Sequence, residues 1–110
     1  MLAQMNDDEF NALADAALRQ IEAALEQSGA ELDFAMISDH VLEIEFADRS
    51  KMVVNRHDAA KEIWVAGHSG GFHYRWQGTS WRDTRSGAEL LTALSALISE
   101  QGGKPVSLLG

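Results

Sequence analysis

A chain of 110 residues with a single proline and 45% apolar composition fits one compact domain and leaves no material for a second core. With no cysteine there is no disulfide, thiolate metal site, sulfur-accepting thiol or usual iron-sulfur ligand, so any metal must be held by oxygen or imidazole. The formal charge of -8 is unevenly placed: residues 1–48 carry twelve acids against Arg19, a net -11, and residues 49–110 carry five acids against eight bases, a net +3.

The chain opens "MLAQMNDDEF", acidic where a signal or transit peptide would be basic, and no apolar run approaches the eighteen or so residues that span a bilayer. A cytosolic protein is expected. Asn6 followed by Glu9 is a cap-and-N3 pair, and Asp7, Asp8 and Glu9 complement the dipole of the helix it opens. This predicts a helix from about Asp7 to about Gln27, stopped by "SGA". Phe10, Leu13, Ala17, Leu18, Ile21 and Leu25 recur at spacings of three and four and form its core-facing stripe. Asp8, Asp15 and Glu22 lie away from that stripe at intervals of seven, with Glu26 one turn after Glu22.

The hydrophobic period then switches to two. "ELDFAM" alternates Leu32, Phe34 and Met36 against Glu31, Asp33 and Ala35, and "VLEIEF" alternates Leu42, Ile44 and Phe46 against Val41, Glu43 and Glu45. "KMVVN", "EIWVA", "FHYRW" and a short "SWR" continue the series, separated by turns too short for a parallel crossover. Ser86 with Glu89 is a second cap-and-N3 pair, predicting a helix to about Gln101 with Leu90, Leu94, Leu97 and Ile98 on its buried side and Gly102, Gly103 and Pro105 at its end. The tail "VSLLG" is apolar enough to lie against the helices. Helix, strands, helix in this order predicts an α+β two-layer sandwich, two helices on one face of a five- to six-stranded, mainly antiparallel sheet, spanning residues 1–110 as a single domain.

That architecture leaves one sheet face without helices, and Glu31, Asp33, Glu43, Glu45, Lys51, Asn55 and Glu62 are polar residues of the matching parity. Trp64 shares their parity. Either it faces out as a binding surface, or it lies inside and leaves Ile63 and Val65 under a loop; since Ile63 and Val65 already supply the inward face, the outward placement is expected.

Enzyme signatures are missing: no GxSxG, no glycine-rich phosphate loop, no HExxH, no cysteine nucleophile. Ser69 lies near His68 and His73, but in a glycine-flanked turn with no oxyanion device. His68 and His73 flank one turn and suggest a histidine-based metal or haem sensor as the alternative function, though five residues with two glycines between them is no ligand signature. A ferroxidase would require a diiron-type site that these spacings do not show. The acids are more telling. At 1.5 Å rise per residue, Asp8, Asp15 and Glu22 stand about 10 Å apart, a ridge and not a cage. Glu22 with Glu26, and Glu31 with Asp33, make two-carboxylate sites for a hard, hydrated cation, ferric or ferrous iron included; a merely solvated face is the other reading. The field of this half repels nucleic acid and anionic membrane and favours a cation or a basic protein.

The run "KMVVNRHDAAKEIWVAGHSGGFHYRW", followed by "WRDTRSG", resembles the frataxin family, and "MNDDEFNALADAAL" resembles its bacterial, CyaY-type branch; the likeness extends from about Met5 to about Leu108. It implies an iron-binding protein of iron-sulfur cluster assembly that binds the cysteine desulfurase and its scaffold, as iron donor or iron-dependent regulator. Residue by residue it implies weak iron binding at Asp7, Glu9, Glu22, Glu26, Glu31 and Asp33, and partner contacts through Trp64, Asn55, Glu22 and Glu26. A bacterial cytoplasmic monomer, with iron-dependent oligomers, belongs to the same expectation. Several positions depart from the family pattern. Ala23 and Gln27 stand where acids often occur, His57 and Glu62 replace the common glutamines, and His73 sits where eukaryotic members place an arginine.

Overall fold

Asn6 opens the first helix, α1 (Asp7–Ser28), of the computed structural model, which describes residues 5–109. Its side chain accepts the Glu9 N–H at 2.8 Å while the Glu9 carboxylate accepts the Asn6 N–H at 3.1 Å, so two otherwise orphaned amides are satisfied reciprocally. The helix ends at Gly29, whose φ of 69° requires a residue that tolerates the left-handed region. Phe10, Ala14, Ala17, Leu18, Ile21 and Leu25 are buried. Ala14 sits in the centre of the stripe and Leu13 at its half-buried margin, because a 3.6-residue turn carries position 14, not 13, directly over Phe10.

Six strands follow: β1 (Asp33–Ser38), β2 (Val41–Glu45), β3 (Lys51–His57), β4 (Glu62–Gly67), β5 (Gly70–Trp76) and β6 (Trp81–Asp83). They pair antiparallel in sequence order, as an uninterrupted meander. The register aligns Leu42 with Val54 and Val54 with Val65, and Ile44 with Met52, so one apolar row after another crosses the inner face. These residues join Ile63, Tyr74 and Trp81 and the buried faces of both helices in one continuous core. Two helices therefore pack on one face of an antiparallel sheet, as the switch of hydrophobic period predicts.

The second helix, α2 (Leu90–Gly102), begins later than the Ser86–Glu89 pairing predicts. Asp83 captures the intervening turn: its carboxylate accepts the N–H groups of Arg85 at 2.7 Å and Ser86 at 3.0 Å, and Gly87 adopts φ of 77°. Glu89 becomes the cap instead, its carboxylate accepting the N–H groups of Leu91 at 2.9 Å and Thr92 at 3.0 Å. A local side-chain turn has displaced the capping box. Leu90, Leu94 and Ile98 are buried, with Leu97 half-buried beside them. Beyond Gly103 the tail lies back along α2. Ser99 Oγ accepts the Val106 N–H at 2.8 Å and Ser95 Oγ accepts the Leu108 N–H at 2.9 Å, which seats Leu108 in the core.

One charged residue occupies an inward position. Arg56, on β3, has only 4% of its side chain exposed, and its guanidinium binds Asp15 and Asn11 of α1 and, at 3.3 Å, Asp58. The Phe10 ring lies 5.4 Å from the guanidinium carbon.

Candidate metal and docking site

The acids of α1 and the adjoining strands share a region of the molecule but not a common state. Lys61 holds Asp7 at 2.7 Å, and this hydrogen bond together with the lysine charge keeps the Asp7 carboxyl below its ordinary range. Glu9 is engaged in the cap of its own helix. Asp15 is paired with Arg56, and Glu31 faces Lys104 at 3.8 Å. Among the described residues, Asp8, Glu22, Glu26 and Asp33 have no ion-pair partner. Of the six positions that the family resemblance marks for iron, Glu22, Glu26 and Asp33 are thus the unpaired carboxylates, whereas Asp7, Glu9 and Glu31 already have partners.

Asp33 has a neighbour that the list of candidates from sequence lacks. The β1–β2 register places Glu45 directly opposite it. Cross-strand partners hold their Cβ atoms about 5 Å apart, so two like charges repel there and a cation between them relieves the repulsion. Register alone reveals this pair, and strand spacing in the sequence does not define it. Among the described residues no three His, Asp or Glu side chains converge on one point. The donor set therefore suits a hard cation that keeps most of its water, held by one or two carboxylates, and does not suit a closed first shell.

The helix-free face carries Trp64. It is half-buried, paired across the sheet with Asn55 on β3 and His73 on β5. The outward reading of "EIWVA" is the one the structure contains. Two imidazoles enclose the indole: His57 stacks on one side at 3.9 Å between ring centres and 16° between planes, and His73 on the other at 4.3 Å and 8°. Glu62 lies beneath, with 7% of its side chain exposed. Its carboxylate accepts the Trp64 Nε1–H at 2.8 Å and an Arg75 N–H at 2.6 Å, and His73 Nδ1 is 3.6 Å away. Burial pushes the Glu62 carboxyl upward, but the indole and Arg75 hydrogen bonds and the charges of Arg75 and His73 together leave it below its ordinary value. Parity placed Glu62 correctly on the outer face, yet its larger neighbours cover it.

The two histidines of the alternative reading are not brought together. His73 lies within β5 against Trp64, whereas His68 occupies the β4–β5 turn, its N–H bound to Gln101 Oε1 at 3.0 Å. His57, not His68, shares an aromatic neighbour with His73. No helix among the described residues is long and apolar enough to cross a membrane.

Comparison with known proteins agrees with this fold. Residues 3–104 match the family model described as a frataxin-like domain. The chain is 62% identical over 104 residues to a protein of Dechloromonas aromatica named iron-sulfur cluster assembly protein CyaY, covering 94% of this chain and 99% of that one. A protein of the same name from Paraburkholderia xenovorans is 45% identical over 102 residues, with 93% and 96% covered. Among solved structures, the frataxin of Psychromonas ingrahamii, of the CyaY protein family, superposes with a TM-score of 0.88 at 38% identity, covering 96% of this chain and all 100% of that one. Trimeric yeast frataxin, complexed with ferrous iron, shares the fold at a TM-score of 0.65 and 21% identity, with 94% and 92% covered.

Proposed function

Since the chain belongs to the frataxin family, we propose that it serves iron-sulfur cluster assembly, binding iron as cargo and acting on the cysteine desulfurase and its scaffold as iron donor or iron-dependent regulator. The observation that carries this reading is the combination, on a chain without cysteine, of unpaired carboxylates on α1 and at the β1 edge of the sheet with a fixed tryptophan on the uncovered sheet face. Lacking cysteine, the protein has no thiolate to build a cluster on, so its contribution lies in iron and in contact with proteins that supply the sulfur. Glu22, Glu26 and Asp33 hold the cargo loosely, which favours handing it on. The same acids steer a basic partner, and Trp64 with Asn55 docks it.

The test is binding to the desulfurase at two salt concentrations, anaerobically, with and without ferrous iron. Salt-sensitive binding that weakens in Glu22→Lys/Glu26→Lys, with little change in folding stability, is expected. Equal affinity of the wild-type and charge-reversed proteins refutes the ridge as the docking site.

A further inference from the structure

We propose that Glu62 is the positioning residue of Trp64: it holds the indole N–H while His57 and His73 cover both ring faces, so a partner meets the outward edge of a locked ring. The proposal rests on the docking role given to Trp64 above. An uncovered surface tryptophan offers its face, the part of the ring that stacks on aromatic rings and guanidinium groups. Here the strands on either side of β4 each contribute an imidazole nearly parallel to the indole, and neither face is available. The Nε1 end is likewise occupied, by a carboxylate that Arg75 anchors in turn. What remains to a partner is the carbon edge of the ring, flanked by imidazole edges.

The flanking groups narrow the partner's chemistry further. His57 Nδ1 accepts the Ala60 N–H at 3.2 Å, so neutral His57 carries its proton on Nε2 as a donor. Arg75, with 58% of its side chain exposed, adds further N–H donors beside Glu62. The surface fits a protein partner that receives the indole edge in a narrow apolar slot and offers hydrogen-bond acceptors, carbonyl or carboxylate, around it. It does not fit an arginine or aromatic side chain seeking a ring to stack on. Holding the ring before binding removes the ordering cost that a mobile tryptophan would meet, so loss of the clamp lowers affinity without removing any contacting atom.

The test uses the full chain with two readouts. Upfield ring-current shifts of the His57 and His73 ring protons report the stack by NMR, and affinity for the desulfurase–scaffold complex reports docking. Glu62→Ala is expected to collapse the shifts and weaken binding about tenfold, the scale of one hydrogen bond to a charged group. Glu62→Gln, which can still accept from the indole, is expected to keep the shifts and stay within about twofold of wild type. A Glu62→Ala protein that retains either the shifts or full affinity overturns the proposal. Should that variant lose its fold, Trp64→Phe reads the same contact, because it keeps a ring and has no N–H to give; full affinity there also overturns the proposal. Trp64→Ala separates the two levels: unchanged affinity removes the docking role itself, whereas weakened affinity alongside an unaffected Glu62→Ala removes only the positioning.

Discussion

Asp15→Ala tests whether Asp15 is a structural acid, unlike the carboxylates proposed to hold iron on the same helix. Asp15 is on the polar side of α1, in phase with Asp8 and Glu22, yet its carboxylate is bound to the buried guanidinium of Arg56. Removing it takes away a charge-assisted hydrogen bond, worth about 1.5–3 kcal/mol. Asp15 is about half exposed, at 48% of its side chain, so solvent screening discounts the upper part of that range. Asn11 and Asp58 remain on the guanidinium, which prevents the full penalty of an orphaned buried charge. The expected loss is about 1–2 kcal/mol, lowering Tm by roughly 5–10 °C for a domain of this size. Urea unfolding followed by tryptophan fluorescence measures it, with an unchanged slope showing that the denatured state is unaltered. Ferrous iron binding, titrated anaerobically on the same variant, is expected to be unchanged. Stability within 0.5 kcal/mol of wild type, or a fall in iron affinity at unchanged stability, refutes the assignment and returns Asp15 to the ridge.

Tyr74 is the sole tyrosine, and burial, with help from Asp83 and Glu89, raises its hydroxyl to about 12. A folded-state value above the unfolded one of about 10 means stability is full below pH 10 and declines as pH rises toward 12, so phenolate absorbance should appear together with unfolding; ionisation near pH 10 in an intact fold contradicts the burial argument. Glu62 has the opposite sign: its carboxyl is lowered from 4.5, so its contribution is present above pH 4.5 and is lost as pH falls through the folded value. Glu62→Gln should therefore flatten part of the acid limb of a stability-versus-pH curve, and an unaltered limb would count against the buried charge. Glu45→Gln removes both the like charge opposite Asp33 and the opposite charge facing Lys51 on the next strand, so stability at low salt should change by less than about 1 kcal/mol, while the extra stability conferred by added divalent cation should fall; equal cation-induced shifts in Tm for both proteins would show that the pair binds none.

Elements whose signals are local were readable from the chain. The Asn6–Glu9 box, the alternation of β2 and the outward parity of Trp64 depend on neighbours within a few residues, and each is present in the fold. What escaped depends on partners far away in sequence. Lys61 reaches Asp7, Arg56 reaches Asp15, and Lys104 reaches Glu31 only after the sheet and the tail are in place. An evenly charged ridge on paper is therefore a divided one in space. Competition between two local motifs explains the shifted start of α2, where the Asp83 turn and Gly87 prevail over Ser86. The imidazole pair around Trp64 was hidden for a further reason: His57 and His73 lie on strands that are not neighbours, and only β4 between them makes them a set.

The uneven charge also bears on the moments before any contact is made. With a net -11 in the first 48 residues and +3 in the remainder, the molecule approaches a charged protein as an electric dipole and not as a featureless anion. Torque from the partner's field turns the acidic helix toward positive potential during diffusion, so fewer collisions occur with the wrong side leading. Orientation gained in this way weakens as salt shortens the reach of the field, whereas the close-range contact proposed for Trp64 would not. On the proposed docking roles, encounter rate and residence time would be governed by different parts of a small protein, and each could change without the other.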